Sequence, residues 1–166
     1  MIYLVGVILF GVLAILQSTI VSRMPLLNGT ADLFLLFVVA WALQERVESA
    51  WQWCIIGGMF ASIYSALPFG AYVIAYLIAT SLARLLKRRV WKAPYLSMLA
   101  ATFIGTLVVH LIAYFARIIT GVDIPVMSVL NLILLPGLLL NLLLAIPVYS
   151  IMHDLAGWLY PEELEA

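Results

Sequence analysis

Charge is what this sequence has least of. Eight Lys and Arg and eight Asp and Glu make up 10% of its 166 residues, where an ordinary globular composition holds roughly a quarter. That scarcity excludes a normal water-facing surface, and the formal net charge of zero leaves no basic field to hold nucleic acid. Histidine occurs twice, His110 and His153, and cysteine once, Cys54. A lone cysteine can make neither an internal disulfide nor a cysteine-pair metal site. There is no His-Glu-x-x-His, nucleophile elbow, phosphate-binding glycine loop or cysteine pair. No catalytic residue, metal ligand or cofactor set is therefore expected, and the chain reads as a non-enzyme. The opening residues, Met1-Ile2-Tyr3-Leu4-Val5, lack the basic stretch of a signal peptide, and no cleavage motif lies near Val21-Ser22-Arg23. The first apolar segment is expected to be retained.

What the chain does have is apolar length. Hydrophobic residues make up 66% of it and the mean hydropathy is +1.19. Several runs reach the ~18 residues that a bilayer-spanning helix requires. The pattern predicts an all-α, polytopic integral membrane protein: one transmembrane helical domain over residues 1–166, with no soluble linker. Six helices are expected, at 3–21, 32–43, 50–67, 69–86, 94–119 and 128–152. Pro94 suits a first helical turn, where no backbone N–H is needed. The second helix is short, ~18 Å at 1.5 Å per residue against a core of ~30 Å. Either it runs on to about Ser49, or Met24-Pro25-Leu26-Leu27 enters the membrane irregularly and must pack against other helices.

Six spans put Arg46, Arg84, Lys87, Arg88, Arg89 and Lys92 on the side of the termini, and only Arg23 and Arg117 opposite. The positive-inside rule then makes both termini cytoplasmic. The basic loop, with Arg84, Lys87, Arg88, Arg89, Trp91 and Lys92, is expected either to lie along anionic lipid headgroups or only to set orientation. Asn28-Gly29-Thr30, a glycosylation-type triplet, sits too close to the membrane to carry weight.

The fourth span carries Ala71, Ala75, Ala79 and Ala83 at every fourth position, a ridge of small side chains on one helix face. Close backbone approach across small residues supplies much of the packing in lipid. Gly57, Ala61 and Ser65 form a matching row in the third span, and Ala101 with Gly105 a shorter pair in the fifth. The ridge either packs helices three to five together or docks a helix from another protein or a second copy of the chain. Beside it, Ser65 to Ala71 reads as a tight uncharged turn, with Pro68-Phe69-Gly70 as a bare hairpin or a contact surface for an extracytoplasmic partner.

Polar groups within the spans are few. Gln17, Asn131 and Asn141 are expected to be interhelical glue or to line a cavity. The breaks at Pro136-Gly137 and Pro147 fall in the same final span. Because these amides are dispersed along the chain, no vitamin-like ligand is expected in the bundle, and no ion path can be traced. His110, Tyr114 and Arg117 share one face of the fifth span, either as a polar stripe or as a buried histidine with a snorkelling arginine. Asp32 lies at a predicted helix start, where a carboxylate favours the helix dipole, and Asp154 at the far end of the last span.

In order and spacing these segments resemble the bacterial rod shape-determining protein MreD family. The resemblance rests on Leu16-Gln17-Ser18-Thr19 closing the first helix and Ala31-Asp32-Leu33-Phe34-Leu35-Leu36 opening the second. It rests above all on Gly57-Gly58-Met59-Phe60-Ala61-Ser62 running into Leu67-Pro68-Phe69-Gly70. Two departures mark a divergent member: Ala31 stands where the family often has proline, and Ser62 where it often has aspartate. The resemblance implies a multi-pass protein of the bacterial cytoplasmic (inner) membrane, within the machinery that elongates the peptidoglycan wall. Implied partners are MreC, a single-span protein, then RodA, its penicillin-binding transpeptidase partner and MreB. The family's six-helix fold is similar to the substrate-binding subunits of energy-coupling-factor transporters. A vitamin- or metal-transporter subunit is therefore the competing expectation, although the Ala-x-x-x-Ala surface those subunits carry on their first helix is absent here.

Overall fold

The computed structural model describes residues 2–19, 21–23, 26–89, 93–122 and 125–161. Among these residues the chain is helical, apart from one isolated bridge between Leu26 and Gly29. Six helical rods follow one another: α1 (Ile2–Thr19), α2 (Leu33–Leu43), α3 (Ala50–Tyr64), α4 (Ala71–Arg89), α5 (Pro94–Ile119) and α6 (Val126–Leu159). A short 3-10 turn, Val21–Arg23, follows α1. By length and composition α1, α5 and α6 can each cross a membrane, and α2 is a shorter apolar helix. Leu4, Val7, Ile8 and Ile15 on α1, Leu111 and Phe115 on α5, and Leu139 and Leu143 on α6 are exposed. Apolar faces this continuous fit lipid rather than water.

The centre of the bundle is α2. All eleven of its residues are buried, and α3, α4, α5 and α6 pack around it. A helix apolar on every side needs such surroundings. It does not run on toward Ser49, because Gln44 adopts an extended conformation and ends it. At about 16 Å it is shorter than a bilayer core, and the segment before it, residues 26–32, is not helical. There Leu26 and Gly29 exchange backbone hydrogen bonds at 2.9 and 3.0 Å across a tight turn, with Leu27 left-handed at φ 55. Met24 and Pro25, the first half of the expected irregular stretch, lie outside the described residues.

This turn lies directly on α6, and proline explains where. Pro136 has no N–H to donate to the carbonyl four residues back, so the Leu132 carbonyl is free, and the backbone N–H of Asn28 donates to it at 3.0 Å. Immediately before Pro136 the helix widens into a π turn over Val129–Leu134, with the Leu135 N–H bonding to Leu130. Such wide turns spare backbone groups for contacts outside the helix. Gly29 completes the fit, since a Cβ there would lie 2.5 Å from both the Gly137 nitrogen and the Ile133 oxygen.

Expected and observed elements differ mainly at their ends. The third helix stops at Tyr64, three residues early, because the Ser65 hydroxyl takes the Leu67 N–H at 3.0 Å and starts the turn. The sixth continues to Leu159. Pro94 stands in the first turn of α5 as expected.

Candidate functional site

One group of interior polar residues gathers at the end of the bundle that carries the 65–71 turn. Asp32 is their centre. As N-cap of α2 it accepts the Leu35 N–H at 3.0 Å, satisfying one of the orphan donors of a helix start. The Tyr76 hydroxyl, from α4, lies 2.7 and 2.9 Å from the two carboxylate oxygens. Asn141, from α6, accepts the Asp32 backbone N–H at 2.7 Å and donates to the Thr106 hydroxyl of α5 at 3.0 Å. Gln17, from α1, donates to the Ala31 carbonyl at 2.7 Å and accepts the Leu33 N–H at 3.1 Å. Three helices thus hold the start of α2 through side-chain amides and a hydroxyl, and α5 braces one of them through Thr106.

This corrects the expectation that the amides are dispersed. Gln17 and Asn141 lie far apart in sequence, but their helices reach the same depth beside Asp32. Asn131 alone of the three is exposed, away from the cluster. The convergence also removes the ground on which a bound ligand was not expected.

Above the cluster is an open cavity of about 580 Å³. Asp32, Gln17 and Tyr76 line its depth, and Tyr64, Tyr72 and Tyr114 supply aromatic wall. His110, Tyr114 and Arg117 all face it, so the polar stripe of the fifth span is a cavity wall. His110 Nδ1 lies 2.9 Å from the Thr106 carbonyl. A carbonyl can only accept, so Nδ1 carries the proton of this bond. Tyr72 and Tyr76, which sequence reading did not single out, are as central as Asp32. Their signal was a pair of tyrosines one helical turn apart in an apolar helix, facing the level of the aspartate.

The cluster contains no nucleophile activated by a base, and among the described residues no group of three His, Cys, Asp or Glu side chains could hold a metal. Over residues 1–157 the sequence matches the family of the rod shape-determining protein MreD. The chain belongs to the MreD family. No curated protein and no solved structure matches it. The family is one of shape determination and is not known for enzymes. Membership covers the whole interior cluster, from Gln17 to Asn141.

Within this MreD-family chain the alanine ridge has an internal use. Ala75, Ala79 and Ala83 are buried, and only Ala71 is partly exposed. A Cβ on Gly105 of α5 would sit 3.5 Å from the Ala79 Cβ and 3.5 Å from Leu35 of α2. The ridge therefore faces the chain's own helices, and a partner helix cannot reach its three inner residues in this conformation. The expected match with Gly57 also shifts by one residue. Gly58 meets α4, with a Cβ there 2.8 Å from the Val73 Cα, whereas Gly57 faces Val38 and Phe10. The turn beside the ridge differs: Pro68 and Phe69 are exposed, Phe69 to 74%, and Gly70 takes φ +97.

The basic residues divide in a similar way. Arg84 donates to the Val47 carbonyl at 3.1 Å and stacks its guanidinium 5.8 Å from the Trp51 ring centroid. Lys87 donates to the carbonyls of Gln44 and Glu45 at 2.5 and 3.2 Å. Both cations thus hold the α2–α3 connection, where carbonyls left by the end of α2 need donors. Burial, and next the charge of Arg84, hold the Lys87 amine below the usual lysine range, with Glu45 acting the other way. Arg88 is exposed. Trp91, Lys92 and the Arg89 side chain lie outside the described residues.

Proposed function

We propose that this MreD-family protein is a non-enzymatic scaffold of the wall-elongation machinery in the bacterial inner membrane. In this reading all six helices cross or enter the bilayer, with both termini cytoplasmic. The observation that carries it is the family match over nearly the entire chain. A bundle whose outward faces are apolar, and whose interior lacks a reactive constellation, supports a role played through contacts. The contact we assign to an MreC-type single-span partner is the exposed turn Pro68-Phe69-Gly70, together with lipid-facing surface beside it. RodA, its transpeptidase partner and MreB would join through that assembly. Arg88, with Arg89, Trp91 and Lys92, would meet anionic headgroups at the opposite end, where each basic residue contributes about 1 kcal/mol.

Purification from native membranes, with this chain as the only bait, tests the reading. A single-span partner should co-purify, and Phe69→Glu should lower its yield several-fold while the variant stays monodisperse. Recovery of the chain alone, or full recovery of the partner with Phe69→Glu, would count against the scaffold contact. The 580 Å³ cavity lends one observation to a second reading, a substrate-binding subunit of the energy-coupling-factor type. A vitamin retained in stoichiometric amount through purification would favour it.

A further inference from the structure

The carboxylate in the cavity has no lysine or arginine bonded to it. Asp32 accepts from the Tyr76 hydroxyl and from backbone N–H groups at the start of α2, and no lysine or arginine among the described residues is hydrogen-bonded or ion-paired with it. A carboxylate has about four acceptor positions, which leaves room for a further donor. A carboxylate withdrawn from bulk water without a cation is costly, and such a group inside a membrane bundle needs a partner. Every element around it offers neutral groups. They are Gln17 on α1, Tyr64 on α3, Tyr72 and Tyr76 on α4, and Asn141 on α6. On α5, His110 is within electrostatic reach of Asp32, and its Nδ1 donates to the Thr106 carbonyl of its own helix.

The walls suit a particular counter-ion. Tyr72, Tyr64 and Tyr114 present aromatic surface to the space above Asp32, and tyrosine faces attract organic cations. Arg117 also lines the cavity. It stands seven residues beyond His110, about 10 Å further along the helix, toward the open end. Tyr72 lines the same cavity as both Asp32 and Arg117. The cavity is therefore lined by a carboxylate, by aromatic faces and, one helix stretch away, by a guanidinium.

We propose that this cavity binds an organic cation, a guanidinium group, with Asp32 as its counter-ion. Two sources share that chemistry. A free zwitterionic molecule would place its own anion at Arg117, whereas a basic side chain on an exposed segment of another protein would not need Arg117. The site stands independently of the scaffold reading, because it is tested on the purified chain alone.

The test is titration calorimetry on the full chain in detergent with two matched pairs of probes: L-arginine with L-citrulline, and acetyl-Gly-Arg-Gly-amide with acetyl-Gly-citrulline-Gly-amide. Citrulline keeps the shape of the arginine side chain and removes its guanidinium charge. At least one of the two arginine probes should bind saturably, and its citrulline counterpart should bind about tenfold or more weaker. Asp32→Asn should weaken the arginine probe by a similar factor, and asparagine caps a helix as well as aspartate does. Arg117→Gln should weaken L-arginine alone if the ligand is a free zwitterion. Tighter binding of the capped peptide, indifferent to Arg117→Gln, would assign the site to a protein-borne side chain. The proposal is overturned if neither arginine probe binds, if each arginine probe that binds is matched by its citrulline counterpart, or if folded Asp32→Asn binds as before. The citrulline comparison uses the unaltered protein, so it decides the matter even if the variant does not fold.

Discussion

Gly29 shows how much a single side chain, or its absence, controls at this end of the molecule. A methyl group there would lie 2.5 Å from two backbone atoms of α6, and neither can move without unwinding the π turn. Gly29→Ala should therefore cost about 1–3 kcal/mol, the range for overpacking a close contact. Thermal unfolding in detergent would register it, and an unchanged midpoint would mean that the turn does not dock as described. Tyr76 makes the complementary point. Its hydroxyl serves both oxygens of Asp32, so Tyr76→Phe removes a charge-assisted hydrogen bond and keeps the ring. A loss of about 1.5–3 kcal/mol is expected, reduced to the extent that water enters through the cavity. Stability equal to the parent would show that Asp32 does not depend on Tyr76.

Between helices, small residues decide the spacing. Ala79 and Gly105 bring α4 and α5 together over Leu35 of α2, and Gly58 brings α3 against Val73 of α4. Ala79→Leu adds three carbons to a contact that has no room for them, and should cost about 1–3 kcal/mol. Its signature is loss of a monodisperse peak on size exclusion with or without any partner. A variant that stays monodisperse yet fails to capture the partner would restore the ridge as a docking face. The opposite end depends on donors. Lys87 and Arg84 supply N–H groups to the carbonyls of Gln44, Glu45 and Val47. Lys87→Met should loosen this connection, read as faster amide exchange over residues 44–49, with the packing of α1 unaltered.

The molecule as a whole places two kinds of chemistry at its two ends. The polar cavity, the Pro68-Phe69-Gly70 turn and Arg117 share one end, and Arg46, Arg84, Lys87 and Arg88 share the other. In the proposed orientation the more basic end meets the cytoplasm, and the cavity would open to the outside. A reporter active only beyond the membrane should therefore be silent when fused at Ala166 and active when inserted at Gly121. Activity at Ala166 would reverse the orientation and turn the cavity toward the cytoplasm.

Helix number, order and approximate ends were legible in the residues, because apolar runs, Pro94 and the turn around Pro68 are local signals that need no partner to interpret. The asymmetry of basic residues and the ordered motifs behind the family assignment belong to the same kind of information. The role of the alanine ridge was not legible. Its period of four says that small side chains share one face, and only the positions of α5 and α2 decide whether that face looks inward. The cavity was still further from view. Gln17, Asp32, Tyr76, His110 and Asn141 are scattered over 125 positions of the chain, and each has an ordinary structural explanation alone. They meet because α2 is too short to span the bundle, so its polar start lies below the ends of its neighbours. Once placed there, its backbone N–H groups and carboxylate have to be satisfied by whatever the surrounding helices present.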